Sequence, residues 1–327
     1  VNGDAPLASL LLIAYQQEKT VAEAVAGALS QTYSPLEIIL SDDASNDGTF
    51  AAMQAAVAGY TGPHWIVLNR NPQNLGIGAH LSHLVSLSKG EMLFVAAGDD
   101  VSLPHRCERV MEAWSVSNQR LDLIAAALID IDEAGKTGAV ITPSDLATYH
   151  NAADWLARPP FVVGAAQAWT RRVFERFDPL PKGVVAEDLV MVLRAVMSGG
   201  AITLAEPLVR YRRGGLSFRR RAQTASDVVK ALLKNNRSSL VELPLLLDDA
   251  RKADQLTAVE PALRARLARE HFVRDLFSAS SLPSRCRAVL GAQSVPVSLR
   301  LRLFIYAACP ALLAPFFWLK RSVRRAP

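Results

Sequence analysis

The sequence predicts an α/β fold on a mostly parallel sheet, followed by a helical, basic C-terminal region. Three observations carry that expectation. Through about residue 100, short apolar runs alternate with stretches of helical periodicity, as in βαβ units. Two of the apolar runs end in acidic pairs, Asp42-Asp43 and Asp99-Asp100. After Arg213 the chain turns helical and arginine-rich.

Residues 8–14 (ASLLLIA) form the first strand, because an unbroken apolar run bounded by polar turn residues suits a strand buried on both faces. A helix over 20–31 follows, with Val21, Ala24, Val25, Ala28 and Leu29 on one face. Residues 36–40 make a second strand that runs into SDDASNDG, where Asn46-Asp47-Gly48 signals a turn. Residues 65–68 give a third strand, 79–87 a helix, and 92–97 a fourth strand ending at Gly98-Asp99-Asp100. A helix over 104–116 and a strand over 121–129 come next, then a less regular stretch holding Trp155 and Trp169. A helix over 187–197 and two short strands, 201–204 and 208–212, close the domain. Beyond them Val228, Val229, Leu232 and Leu233 share a helix face, as do Leu256, Val259, Leu263 and Leu267. Gly214-Gly215 marks the boundary. The expected organisation is a domain over 1–215, a helical region over 216–295 and a basic, aromatic tail over 296–327.

Composition narrows the classes. With 327 residues, 50% apolar and 20% charged, the chain is long enough for a sizeable core and too apolar to be disordered. Its three cysteines are scattered without a C-x-x-C pair, which excludes a disulfide framework and fits a reducing compartment. The N-terminal apolar run lacks a basic flank and reads as a strand rather than a secretory signal. Charge is divided: 13 Lys and Arg against 23 Asp and Glu through Pro207, then 23 against 8 from Leu208 onward. Such a basic third faces something anionic. The apolar run 303–319 holds Phe304, Tyr306, Phe316, Phe317 and Trp318 between Arg300, Arg302 and the Lys320, Arg321, Arg324, Arg325 cluster. It is short of the ~20 residues a spanning helix needs, and Pro310 and Pro315 interrupt it. An in-plane or re-entrant anchor on an anionic membrane is therefore expected, with a buried hairpin or oligomer interface as the alternative. Aromatics clustered with aliphatics, not interleaved with basic residues, argue against nucleic acid. The expected location is cytoplasmic, peripheral or monotopic on the inner face of the membrane.

Several clusters could carry chemistry. Asp42 and Asp43 either cap a turn or accept hydrogen bonds from a nucleobase or ribose. Asp99 and Asp100, adjacent carboxylates after a buried strand, repel unless a cation or donors offset them. Mg2+ or Mn2+, completing its shell with substrate phosphates, would do so; an acidic helix start is the simpler reading. Glu187-Asp188 opens a helix and has a capping explanation of its own. The arginines of RYRRGGLSFRRR suit a diphosphate, or a solvated face. His80 and His83, at i, i+3, lack a third ligand and read as ordinary histidines. Gly76-Ile77-Gly78 lacks the third glycine of a dinucleotide loop.

The ordered set LLIAYQQE, LSQTYSPLEIILSDDASNDGT, NLGIG, KGEMLFVAAGDD, AEDLVMVLRA and YRRGGLS resembles the family 2 glycosyltransferases, of the kind that builds bacterial surface polysaccharides, over residues 6–217. The resemblance implies a single Rossmann-like GT-A domain. It implies that Tyr15 and Asp43 hold the nucleoside, Asp99 the ribose and Asp100 a divalent metal on the diphosphate. Glu18, Arg212 and Arg213 join the donor-binding set, and Asp188 becomes the base. Ala97 stands where a strict D-x-D begins, which leaves metal binding to Asp100 and phosphate oxygens. The implied reaction moves a hexosyl or deoxyhexosyl group from a nucleoside-diphosphate sugar to a hydroxyl of a lipid-linked or oligosaccharide acceptor, with inversion. A nucleotidyltransferase, a nicotinamide-dependent enzyme and a membrane-bound adaptor that binds nucleotide sugars without turnover are the competing classes.

Overall fold

A computed structural model of the chain describes residues 5–212 and 224–310. It divides into two compact units: Val1–Phe218 with Asp249–Gln255, and Arg219–Asp248 with Leu256–Pro327.

The first unit is an α/β assembly around one nine-stranded sheet. In chain order its elements are β1 (Ala8–Ala14), α1 (Val21–Leu29), β2 (Leu36–Asp42), α2 (Thr49–Val57), β3 (Trp65–Arg70), α3 (Ile77–Leu87), β4 (Met92–Ala97), β5 (Val101–Ser102) and α4 (Arg106–Val116). There follow β6 (Leu123–Ile131), β7 (Thr137–Ile141), α5 (Ala152–Ala157), β8 (Gln167–Thr170), α6 (Arg171–Arg176), α7 (Glu187–Val196) and β9 (Ala201–Arg212). The strand order is β3-β2-β1-β4-β8-β6-β9-β5, with β7 paired to β6.

The four strands from β3 to β4 are parallel, and helices cover β2, β1 and β4. That explains their composition: Leu10, Leu12, Ile38, Leu40 and Phe94 are wholly buried among Val21, Val25, Met53 and Trp114 from the helices. β3 is the edge strand, and Trp65, Val67 and Leu68 lie exposed on it. Beyond β4 the sheet is mixed. The four-residue β8 inserts antiparallel between β4 and β6, and β6 then pairs in parallel with β9.

Several elements differ from expectation: β5 was not assigned, and β7, α5, β8 and α6 fall in the stretch expected to be less regular. α2 lies within a stretch the sequence left unassigned between the Asn46-Asp47-Gly48 turn and β3. β9 is one twelve-residue strand where two short ones were expected. Pro207 cannot donate to the ladder, and the register against β6 shifts around Ala127, its partner, so the strand continues past the proline through an irregularity.

The second unit is helical: α8 (Ala225–Lys252, its last turn belonging to the first unit), α9 (Leu256–Ser278), α10 (Leu282–Gly291) and α11 (Val297–Ala308). Phe272, Val273, Leu276, Val295 and Leu303 form its core, with Leu232 and Leu233 against them. Asn236 donates to the backbone oxygen and carboxylate of Glu270, joining α8 to α9. Among the described residues no helix is long and apolar enough to cross a membrane. Of the expected tail anchor, residues 311–319 lie outside the described residues.

Candidate functional site

Strand register brings the loops together. Ala14 of β1 lies beside Asp42 of β2, and Ile13 beside Ala97 of β4. Tyr15, Asp43 and Gly98-Asp99-Asp100 therefore leave the sheet at one level, on the carboxyl edge where open parallel sheets bind ligands.

The β1 and β2 loops are stitched to each other. The chain turns through Gln16 at φ 54°, and its N–H donates to Ser45 Oγ at 2.8 Å. The Gln17 N–H donates to Thr49 Oγ1 at 2.8 Å, and Glu18 Oε2 accepts the Gly48 N–H at 2.9 Å. Glu18 thus fixes the turn leading into α2. The Gln17 side chain lies against Gly98 at the end of β4, where it opposes the rise of the Asp99 carboxyl. Gly98 is required for this approach: a Cβ there would lie 2.6 Å from Gln17 Oε1 and 2.7 Å from Ala14 Cβ. Tyr15 stands about half exposed at the edge.

The two acids after β2 divide their work. Asp42 points into its own turn, accepting the Ser45 N–H and hydroxyl and pairing with Arg70 Nε at 3.2 Å. Asp43 accepts Asn71 Nδ2 at 2.8 Å and the N–H groups of Leu75 and Gly76 at 2.9 Å each. It therefore shapes the loop before α3 and occupies the N-terminus of that helix. Beneath it His80 is buried, with Nε2 2.6 Å from Ser41 Oγ, and Asn69 donates to the same hydroxyl at 2.8 Å. Burial pushes the His80 imidazole down to about 4; Asp43 and Asp42 oppose that shift and His83 adds to it. His80 is an ordinary core histidine.

The end of β4 is the most strongly perturbed place in the unit. Burial and the neighbouring Asp99 charge push Asp100 up to about 8, against the Arg212 N–H and the Arg106 and Arg212 charges. Asp99 is raised too, chiefly by burial. Arg212, in β9, donates its N–H to Asp100 Oδ1 at 2.8 Å and Nε to the Asp99 carbonyl at 3.1 Å. Its remaining contacts are the Asp132 and Glu133 carbonyls at 3.0 and 3.1 Å and Glu23 Oε2 at 2.5 Å. In this state Arg212 clamps the β4 end. Arg213 lies outside the described residues.

The donor set fits a divalent cation that brings its other ligands with it. Two adjacent, desolvated carboxyls are both raised because the donors around them only partly offset the charge they would carry; a cation would supply the rest. Among the described residues no three His, Cys, Asp or Glu side chains cluster as a closed cage. Hard oxygens in that number suit Mg2+ or Mn2+, which keep water and phosphate ligands.

Arg106 is the residue that sequence reading missed. Wholly buried in α4, it donates to Ser102 Oγ at 2.9 Å, the Val95 carbonyl at 2.8 Å and the Gln167 carbonyl at 3.1 Å. Burial lowers it to about 10, opposed by Cys107 and Asp100. It bolts β4 to β8. Gln167 then donates to the Asp188 carbonyl at 3.3 Å, so the first turn of α7 is tied to the same edge. Gly164 passes close by; a Cβ there would meet Glu187 Oε1 at 2.6 Å. One signal was available: an arginine at the start of an apolar helix face, two positions after a proline.

Comparison with known proteins identifies the family and the fold. The family model described as Glycosyl transferase family 2 matches residues 9–176. EpsE of Bacillus subtilis (strain 168), provisionally named a glycosyltransferase, is 29% identical over 263 residues, covering 80% of this chain and 89% of its own. Among solved structures, S. aureus TarS 1-349 in complex with UDP-GlcNAc superposes with TM-score 0.54 at 16% identity, covering 97% and 91% of the two chains. The mannosyltransferase PcManGT of Pyrobaculum calidifontis, solved with GDP-Man and Mn2+, gives TM-score 0.53 at 15% identity, covering 95% and 82%. At these identities the two structures establish a shared fold.

Proposed function

The chain belongs to glycosyl transferase family 2, and from that premise we propose that it moves a sugar from a nucleoside-diphosphate donor to a hydroxyl of a glycan acceptor, with inversion. One observation carries the reading: β1, β2 and β4 deliver Tyr15, Asp43, Asp99 and Asp100 to one edge, and the Arg106–Gln167 bridge ties Asp188 to that edge. Tyr15 and Asp43 receive the nucleoside, Asp43 from a loop it holds rigid itself, and Glu18 keeps the facing turn in place. Asp99 accepts from the ribose. Asp100, with phosphate oxygens, would hold Mg2+ or Mn2+, which neutralises charge on the departing diphosphate. Arg212 adds positive charge beside that group, and Arg213 follows it in sequence.

Asp188 takes the proton. As the acceptor oxygen bonds to the anomeric carbon, the carbon–oxygen bond to the diphosphate breaks and the nucleoside diphosphate leaves with that electron pair. One base and one displacement give inverted configuration. The resemblance of the ordered motifs to transferases that build surface polysaccharides supports that role, and the basic C-terminal third supports a lipid-linked acceptor and attachment to the inner face of a membrane. A thermal-shift screen of nucleotide sugars with Mn2+ tests the donor, because a ligand at 100 times its Kd adds about 2.7 kcal/mol of stability. Stabilisation by one nucleotide sugar is expected; none by any of them, with or without metal, would overturn the reading.

A further inference from the structure

Two consecutive helices of the second unit repeat one outward pattern. In α10 Leu282, Cys286 and Leu290 recur every four residues, and in α11 Val297, Leu301 and Ile305 do the same. Four-residue spacing puts each triplet on one helix face. That face is open: Leu282 is 58% exposed, Leu290 71%, Val297 58%, Leu301 54% and Ile305 37%, and Cys286 is exposed as well. Arginines flank each triplet at matching offsets, Arg285 and Arg287 in α10, Arg300 and Arg302 in α11. The two helices thus share φ-x-x-R-φ-R-x-x-φ, where φ is an apolar side chain.

Core packing accounts for the other faces only. Ala288 and Val289 of α10, and Leu299, Leu303, Phe304 and Ala307 of α11, pack on the cluster of Phe272, Val273 and Leu276. Arg300 Nη1 donates to the Val289 carbonyl at 2.7 Å and holds the two helices together. Since both inner faces meet one core, both outer stripes turn away from it.

Charge chooses the occupant. Residues 276–327 carry eight Lys and Arg and no Asp or Glu. A second copy docked face to face would bring arginines together with no acid to offset them. An anionic phospholipid surface meets both features, because arginines beside an apolar stripe reach headgroup phosphates while the stripe enters the acyl boundary. The apolar run 303–319 begins within α11 and continues the same character.

We propose that α10 and α11 lie in the interface of an anionic bilayer through the Leu282-Cys286-Leu290 and Val297-Leu301-Ile305 stripes. The proposal deepens the membrane-attached part of the functional reading and is independent of donor binding. The test is flotation of the full chain with phosphatidylglycerol-containing and with pure phosphatidylcholine vesicles, at low and high salt. The parent is expected to float with the anionic vesicles. Leu290→Gln combined with Leu301→Gln should lower partitioning at least about tenfold at every salt concentration, since insertion is apolar. Arg287→Gln combined with Arg302→Gln should lower it by about tenfold or more at low salt only. All four positions bear no part of the donor site, and unchanged thermal unfolding and donor calorimetry verify the fold. Equal flotation of parent and leucine variant would overturn the assignment of this face while leaving membrane attachment standing. Self-association of the parent that the leucine variant abolishes, seen by light scattering without vesicles, would give the face to a second copy and overturn the proposal. Absence of parent flotation would overturn both membrane statements and leave donor binding untouched.

Discussion

His80 predicts a specific loss of stability in mild acid. The imidazole is held neutral by burial, with its folded pKa near 4 against an ordinary value of 6.5. Between those values the unfolded chain binds a proton that the folded chain refuses, so stability rises with pH across the window and falls as the solution is acidified. Above about pH 6.5 both states are neutral and the histidine contributes no slope. Below about pH 4 the penalty is complete. A gap from 6.5 to about 4 corresponds to roughly 3 kcal/mol, at about 1.4 kcal/mol per tenfold change in proton affinity. That is a large share of the ~5–15 kcal/mol typical of a folded domain. Carboxylates also titrate in this range, so the contribution is isolated by difference. Urea unfolding of the parent and of His80→Gln, at pH steps from 7 to 4, measures it. Gln is expected to cost stability at pH 7 through the altered contact with Ser41, yet its stability should fall by roughly 3 kcal/mol less on acidification. Parallel pH profiles for the two proteins would refute the assignment of a neutral, proton-refusing His80.

Other outcomes follow from the site. Asp100→Ala should abolish metal-dependent donor binding, since it removes the best-placed hard ligand; calorimetry with donor and Mn2+ checks this. Asp188→Asn should keep donor binding and lose transfer by ~10²- to 10⁴-fold, measured as nucleoside diphosphate released; a rate within about tenfold of the parent would point to Glu187 instead. Gly98→Ala should destabilise by roughly 1–3 kcal/mol in thermal or urea unfolding, because the new methyl meets Gln17 and Ala14 at 2.6 and 2.7 Å. Arg194→Met should cost roughly 3–5 kcal/mol, because it strips the buried Asp249 carboxylate of a partner whose Nε lies 2.7 Å away.

The parallel half of the sheet is readable because its physics is local. Strands buried on both faces, such as β1 and β4, announce themselves as apolar runs, and each ends in polar residues that cannot continue inside. β8 was not readable: four residues sandwiched antiparallel between β4 and β6 leave no periodicity to detect. β9 was divided in two because Pro207 looks like a terminus from sequence, and only the partner strand reveals that the ladder resumes. In the site, the residue types and order marked Tyr15, Asp43, Asp99, Asp100 and Asp188. What they could not give was the bracing. Arg106 and Gln167 act through backbone carbonyls of elements distant in the chain, and no spacing rule encodes such a contact. Arg212 read as a cation aimed at a ligand, whereas most of its hydrogen bonds go to carbonyls and carboxylates of its own fold.

The ion pair between Arg194 and Asp249 bears on how this protein can be cut and recombined. Asp249–Gln255 belongs to the first unit although some thirty residues of the second precede it in the chain. Its anchors are spread along that unit: Arg194 on Asp249, Asp178 on Lys252 at 2.6 Å, and the Ala152 N–H on Gln255 at 2.7 Å. A gene truncated near the glycine pair at 214–215 would encode a transferase fold with an orphaned guanidinium in its interior. Lineages that exchange C-terminal segments must therefore carry a counterpart of this short return segment with them, and module swapping should be rarer here than the glycine boundary suggests.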